Sequence, residues 1–276
     1  MSKIVLVTGA TDGIGKMTAL RLAQHGYHVI VHGRDGVRVA TAVAEIKQKI
    51  GASAKLDSSV FDLSSLDAVV AGAQDLRQRF PKLDILLNNA GTYQKEKQLS
   101  KDGLELTMAT NHFGPTLLTL LLRPSLEKSR EAKVIFVSSV AHNRGVLNPE
   151  NYNFESSFSA YEAYATSKLA NLITAQELAK EWEPLSIPVY ALHPGVITTK
   201  LLKAGFNIDG GTLETGSDTS VFLVTTDLPK SKSGKYFDNS EEATPSPLSQ
   251  NKQKTTHFWQ WTQSKLAPKT PKGARP

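Results

Sequence analysis

The sequence predicts an α/β fold: a single domain built on a doubly wound parallel sheet of about seven strands, with helices on both faces. Three observations carry this expectation. Short, β-branched apolar runs recur through the first 240 residues. Stretches with a helical apolar period separate these runs, and no internal repeat or linker interrupts the alternation. The runs are apolar throughout rather than alternating, as strands buried on both faces of a parallel sheet are.

The first run, KIVLVT (Lys3–Thr8), leads into TGATDGIG and the helical stretch MTALRLAQHG, whose Gly26 sits where a helix end favours glycine. HVIVH (His28–His32) follows, then HGRD and the helix VRVATAVAEIKQKIG, closed by Gly51. SVFDL (Ser59–Leu63) reads as the third strand, with LDAVVAGAQDLRQRF as its helix. DILLN (Asp84–Asn88), KVIFVSS (Lys133–Ser139) and IPVYALH (Ile187–His193) supply three more strands. Two segments break the rhythm. HNRGVLNPENYNFESSFSA (His142–Ala160) is polar and too irregular for a helix. After a body spanning 1–242, residues 243–276 are expected to form a basic extension. It comprises an extended passage, one short helix whose Phe258, Trp259 and Trp261 dock on the body, and a disordered end.

Ligands of a doubly wound sheet bind beyond the carboxyl ends of its strands. All six strand ends carry a polar or glycine-containing element. After the first, Gly9, Thr11, Asp12, Gly13, Ile14 and Gly15 form a loop whose glycines permit a tight turn and close backbone approach. The helix that follows offers free N–H groups to a pyrophosphate. The loop lacks the Lys-Ser/Thr ending of a nucleotide triphosphatase. After the second strand, Gly33 stands where a carboxylate would accept a ribose 2′-hydroxyl, and Arg34 follows it, favouring a 2′-phosphate. This points to NADP(H) over NAD(H), with Asp35 either opposing the phosphate or capping the next helix. Asp62 and Leu63 are candidates for the adenine edge, Asp62 being equally readable as a helix cap. The remaining strand ends carry Asn88-Asn89-Ala90-Gly91, Ser138-Ser139 and His193-Pro194-Gly195-Val196-Ile197-Thr198-Thr199.

The stretch YEAYATSKLAN (Tyr161–Asn171) places Tyr164 four residues before Lys168, hence on one helix face one turn apart. Together with TGATDGIG, NNAG, Asn111, Ser139 and PGVITT, in this order and spacing, the pair resembles the short-chain dehydrogenase/reductase family over about residues 3 to 240. The Asn111 run NHFGP and the VSSVAH run at Val137–His142 look like the subgroup holding retinol dehydrogenases, protochlorophyllide reductases and related carbonyl reductases. That subgroup carries a long serine-to-tyrosine insertion, and Ser139 and Tyr164 here are 25 positions apart. The resemblance implies a Rossmann fold and hydride transfer between NADP(H) and a small-molecule carbonyl or alcohol, by a monomer or homodimer. Tyr164 would be the general acid/base, and Ser139 rather than Ser138 would hold the substrate oxygen. Lys168 would grip the nicotinamide ribose, and Asn111 would support a proton-relaying water. Thr199, or Thr198 one residue earlier, would bind the carboxamide with the backbone of Ile197. A phenol near its ordinary pKa of ~10 is a poor base or acid at neutral pH. The nearby ammonium and a positive nicotinamide are expected to pull the Tyr164 pKa down. Asp12 departs from the family pattern by placing a negative charge near phosphates, with Lys16 at hand to offset it.

Other chemistry is excluded or disfavoured. There is no cysteine, so disulfides, thiolate catalysis and Cys-based metal sites are out. The histidines show no ligand spacing, and no metal is expected. Ser139 lacks a G-x-S-x-G elbow. The net charge of +6 resides in the extension, which holds six basic residues and no acid; the other 26 basic residues balance 26 acidic ones. A solvated tail is therefore expected rather than a nucleic-acid contact. No apolar stretch approaches a bilayer span, and the chain opens directly on the first strand, so a cytoplasmic enzyme is expected. A non-catalytic NADP(H)-binding sensor or scaffold is the alternative. His142–Ala160 and Lys200–Ser217, with Leu201, Leu202 and Phe206, are expected to rim an apolar pocket.

Overall fold

The computed structural model describes residues 2–51, 53–206 and 208–270. The strands are β1 (Ile4–Val7), β2 (His28–Gly33), β3 (Leu56–Val60), β4 (Ile85–Asn88), β5 (Lys133–Val137), β6 (Val189–His193), β7 (Tyr236–Asp238) and β8 (Glu241–Ala243). They form one sheet of order β3-β2-β1-β4-β5-β6-β7-β8, parallel except for the β7–β8 hairpin. The order reverses between β1 and β4, opening a cleft at their carboxyl ends where the glycine-rich loop lies.

Successive strand residues face opposite sides of the sheet, and the core divides accordingly. Leu6, Ile30, Leu86 and Phe136 pack beneath α3 (Leu66–Arg79), α5 (Gly114–Leu126) and α6 (Ala160–Glu181). Val5, Val7, Val29, Val31 and Ile135 pack beneath α1 (Gly13–Gln24), α2 (Gly36–Ile50) and α8 (Leu213–Thr225). Side chains start these helices: Asp35 Oδ1 accepts from Arg38 N at 2.9 Å, so Asp35 is the cap of α2. A short turn, α4 (Leu106–Met108), runs through a π-helical bulge (Ala109–Phe113) into α5. The remaining helices are α7 (Lys200–Phe206) and α9 (Lys252–Leu266).

The doubly wound sheet is as expected, with eight strands where about seven were anticipated. The third strand differs from the expected Ser59–Leu63. The strand is Leu56–Val60, and Phe61 and Leu63 leave it to fill the core from the loop. As an edge strand it is half exposed and carries the polar residues Asp57, Ser58 and Ser59, which a search for apolar runs passes over. Strands β7 and β8 are three residues each, too short to show a period.

The irregular segment His142–Ala160 is mixed: Leu147 and Asn151 to Phe154 are buried, while Asn148 to Glu150 and Glu155 to Ser157 are exposed. Tyr152 stacks on Phe258 and Trp261 of α9, and Asn153 Oδ1 accepts from Glu105 N at 2.8 Å. Helix α9 docks by the aromatics named from the sequence. Phe258 and Trp259 are buried, and Trp259 Nε1 donates to Glu181 Oε1 at 2.7 Å. The terminal residues 271–276, expected to be disordered, lie outside the described residues.

Candidate active site

Asn111, Ser139, Tyr164 and Lys168 converge at the carboxyl ends of β4 and β5. The π-helical bulge carries Asn111, whose Oδ1 accepts from Thr92 N at 2.7 Å. Its Nδ2 donates to Thr92 O at 2.9 Å and to Ser167 Oγ at 3.0 Å. Ser139 follows β5 and caps a 3₁₀ turn (Val140–Arg144), and its hydroxyl hydrogen-bonds the Tyr164 phenol. Ser138 Oγ instead donates to Lys168 O at 2.7 Å and is buried, so the second serine of the pair is the one beside the tyrosine. Lys168 Nζ lies 5.7 Å from the Tyr164 ring centroid and donates to Val137 O at 3.1 Å. A Cβ on Gly91 would stand 3.3 Å from that Nζ and 3.7 Å from Asn111 Oδ1, so Gly91, Asn111 and Lys168 line one hollow.

Burial governs the charges here. It pushes the Tyr164 phenol up to about 12, outweighing the opposing Ser139 hydrogen bond. This corrects the expectation of a depressed phenol for the chain on its own. Burial also brings the Lys168 ammonium down to about 8. At neutral pH the phenol is therefore protonated and the lysine predominantly charged. Tyr93 stacks at 5.7 Å from Tyr164, Leu201 of α7 packs on the same cluster, and Tyr161 is 40% exposed beside it. Gly205 of α7 is backed by the Tyr93 ring, which a Cβ there would meet at 3.1 Å. The side chain of Phe206 lies outside the described residues.

The cleft floor is built by close approach. Gly9 has φ +63°, and a Cβ on it would stand 2.8 Å from Ala90 Cα; one on Gly15 would meet Gly9 O at 2.3 Å. Thr8 Oγ1 accepts from Asn89 N (2.9 Å) and Ala90 N (3.0 Å), stitching the Asn89-Ala90-Gly91 turn to the glycine-rich loop. At the end of β2, a Cβ on Gly33 would collide with Thr11 Cγ2 at 2.5 Å and Val39 Cγ2 at 2.9 Å. The position that would hold a ribose-binding carboxylate is thus closed by packing, and Arg34 stands exposed at its rim. Asp12 caps α1, with Oδ1 accepting from Gly13 N at 2.8 Å, and Ile14 lies in the first turn of that helix. The Asp12 carboxyl is held below its ordinary range, first by a 2.6 Å hydrogen bond from Lys200. Arg38 adds a longer contact at 3.5 Å. Lys16 offsets Asp12 as expected, but only through its charge at a distance and less than Lys200 does, since its ammonium pairs directly with Glu45 at 2.8 Å.

Asp62 Oδ1 accepts from both Ser64 N and Ser64 Oγ at 2.9 Å, a local turn ahead of α3, whose cap is Ser65 and not Asp62; the Leu63 side chain is buried in the core. Pro194 and Gly195 turn the chain at φ +91° for the glycine, and Ile197 is buried with its backbone bridged to Gly211. Thr199 Cγ2 is 3.8 Å from where a Gly13 Cβ would lie, which puts Thr199 against the glycine-rich loop. Thr198 is engaged elsewhere, exchanging hydrogen bonds with Gly210 at 2.8 and 3.0 Å.

Residues 3–207 match the short chain dehydrogenase family. The chain belongs to that family. It is 33% identical to retinol dehydrogenase 14 of Mus musculus, over 93% of this chain and 84% of that one. Among solved structures, an uncharacterised protein from Mycobacterium paratuberculosis superposes with a TM-score of 0.80 at 27% identity, covering 98% of this chain and 95% of that one. A short chain dehydrogenase of Shigella flexneri, complexed with NADP, has a TM-score of 0.71 at 26% identity over 87% of this chain and 97% of that one.

In this short chain dehydrogenase the residues fit a nicotinamide dinucleotide on their own chemistry. The glycine cradle leaves no room for side chains at Gly9 or Gly15. The buried Lys168 ammonium has three donors, and the Val137 carbonyl takes one. Sequence reasoning missed Thr8, Thr92, Arg38 and Lys200. Thr8 and Thr92 act through contacts between distant loops, for which the sequence carries no local signal. Lys200 directly follows the Thr198-Thr199 pair, and its meeting with Asp12 depends on the fold. Among the described residues no helix is long and apolar enough to cross a membrane, and no cluster of three acidic or histidine side chains could hold a metal.

Proposed function

We propose that the chain is an NADP(H)-dependent oxidoreductase acting on a carbonyl or alcohol, with Tyr164 as general acid/base. The observation that supports this best is the buried Ser139–Tyr164 hydrogen bond beside Lys168 and Asn111. When bound, the nicotinamide supplies or accepts the hydride. Ser139 and Tyr164 hold the substrate oxygen. The phenol, protonated at neutral pH, donates to that oxygen as a carbonyl is reduced. Lys168 holds the cofactor ribose and, with Asn111 and its water, returns a proton to Tyr164. Gly9, Gly13, Gly15 and the first turn of α1 receive the pyrophosphate. Thr199 and Ile197 hold the carboxamide.

Arg34 and the closed Gly33 position support NADP(H) over NAD(H). The relative crystallised with NADP agrees with the cofactor assignment, and the retinol dehydrogenase relatives agree with an alcohol or carbonyl substrate. Tyr93, Tyr161 and Leu201 would supply the apolar wall. A cysteine-free chain suits a reducing, cytoplasmic setting. Tryptophan-quenching titrations with NADPH and NADH, repeated on Arg34→Ala, test the cofactor assignment. NADPH is expected to bind at least ten-fold more tightly, and the variant to lose that preference. Equal affinities in the wild type would overturn it.

A further inference from the structure

We propose that His142 and His193 are positioning residues that clamp the peptide following Ser139 from both ends, and that the C-terminal segment locks this clamp through Ser246. The proposal rests on the reading of Ser139 as a group that holds substrate oxygen. The carbonyl of Ser139 and the N–H of Val140 belong to one peptide plane. Its oxygen faces His142 Nδ1 at 2.6 Å, and its N–H donates to His193 Nδ1 at 3.3 Å. Fixing that plane fixes the direction in which the Ser139 side chain leaves the backbone, toward Tyr164.

The backbone donors dictate the tautomers. Ser246 N–H donates to His142 Nε2 at 3.0 Å, so the single proton of neutral His142 sits on Nδ1 and donates to Ser139 O. His193 accepts on Nδ1, so its proton sits on Nε2. The two rings therefore hold opposite tautomers. His142 is 1% exposed and stacks 4.8 Å from Tyr236; His193 is 7% exposed. Ser246 in turn is buried and begins the 3₁₀ turn Pro247–Gln250, which leads into α9. The extension thus reaches the active site through one backbone N–H.

Ser246 has φ −50°, near the proline value, and follows Pro245. Ser246→Pro therefore deletes the N–H with little backbone change, and Ser246→Ala controls for the lost hydroxyl. The readouts are ¹⁵N-histidine NMR and steady-state reduction of 4-nitrobenzaldehyde by NADPH. In the wild type, the signal lost in His142→Phe should show the Nδ1-H tautomer, and the signal lost in His193→Phe, which is thereby told apart from the buried His32, the Nε2-H tautomer. Ser246→Ala should keep both, with kcat within about two-fold of wild type. Ser246→Pro should lose the fixed Nδ1-H signature and drop kcat by on the order of ten-fold or more, with KM for NADPH within about two-fold. His142→Asn, whose amide can replace the Nδ1 donor, should retain more kcat than His142→Phe, and this pair decides the matter if Ser246→Pro does not fold. Identical tautomers in the wild type, or equal kcat in His142→Asn and His142→Phe, would overturn the clamp. A wild type that shows both tautomers but reduces no carbonyl would instead overturn the proposed activity and leave the clamp standing.

Discussion

Acidification should unfold this protein through histidines held neutral by burial. His112 is fully buried between Phe113, Phe258 and Thr262 of α9, and burial pushes its pKa down to about 3. His32, buried under the glycine-rich loop, is pushed down to about 4 for the same reason. In the unfolded chain both titrate near 6.5. Their folded pKa values are depressed, so the stability they contribute is complete above 6.5 and is lost as pH falls toward the folded values. Each unmatched proton costs about 1.4 kcal/mol per pH unit, so the pair gives a slope of roughly 2.7 kcal/mol per unit. Between pH 6.5 and 4.5 the loss is about 5 kcal/mol, comparable with the whole stability of an ordinary domain. His142 and His193, also lowered by burial, add to it. Glu105 and Glu181, raised by burial, oppose it. Urea unfolding followed by tryptophan fluorescence at pH 7.5, 6, 5 and 4.5 measures the slope, since Trp182 and Trp259 are buried reporters. His112→Gln should lower the slope by about 1.4 kcal/mol per unit, a difference in which the carboxylates cancel. A wild-type stability that is flat with pH, or an unchanged slope in His112→Gln, would refute the burial argument.

Two further substitutions test the cleft and the tail. Gly15→Ala forces a methyl to within 2.3 Å of Gly9 O and Asn89 Nδ2, and should abolish NADPH binding in a titration and destabilise the fold by about 1–3 kcal/mol. Phe258→Ala empties a fully buried site where α9 meets Phe113 and Tyr152, and should cost about 3–5 kcal/mol in urea unfolding.

What was legible in the sequence depended on whether a signal was local. The parallel core strands could be read because burial on both faces demands uninterrupted apolar residues, as in Val5-Leu6-Val7. The edge strand Leu56–Val60 was misplaced because one side meets solvent, and its polar residues look like a loop. The catalytic candidates were legible because each lies in a short motif at a strand end or on one helix face. Their electrostatics were not: the Tyr164 phenol follows its burial, which depends on packing by residues far away in the chain. The Asp12–Lys200 pair spans 188 positions and the His142–Ser246 contact 104, so only the folded chain brings them together.

The central claim is that Tyr164 moves the proton, and Tyr164→Phe tests it most directly. NADPH-coupled turnover of an aromatic aldehyde panel and NADPH affinity by tryptophan quenching should be measured on wild type and variant. Loss of the phenol should reduce kcat by on the order of 10²–10⁴ while NADPH affinity changes by less than about three-fold. A variant that still turns over at wild-type rate, or a wild type that binds NADPH and reduces none of the panel, would contradict the account.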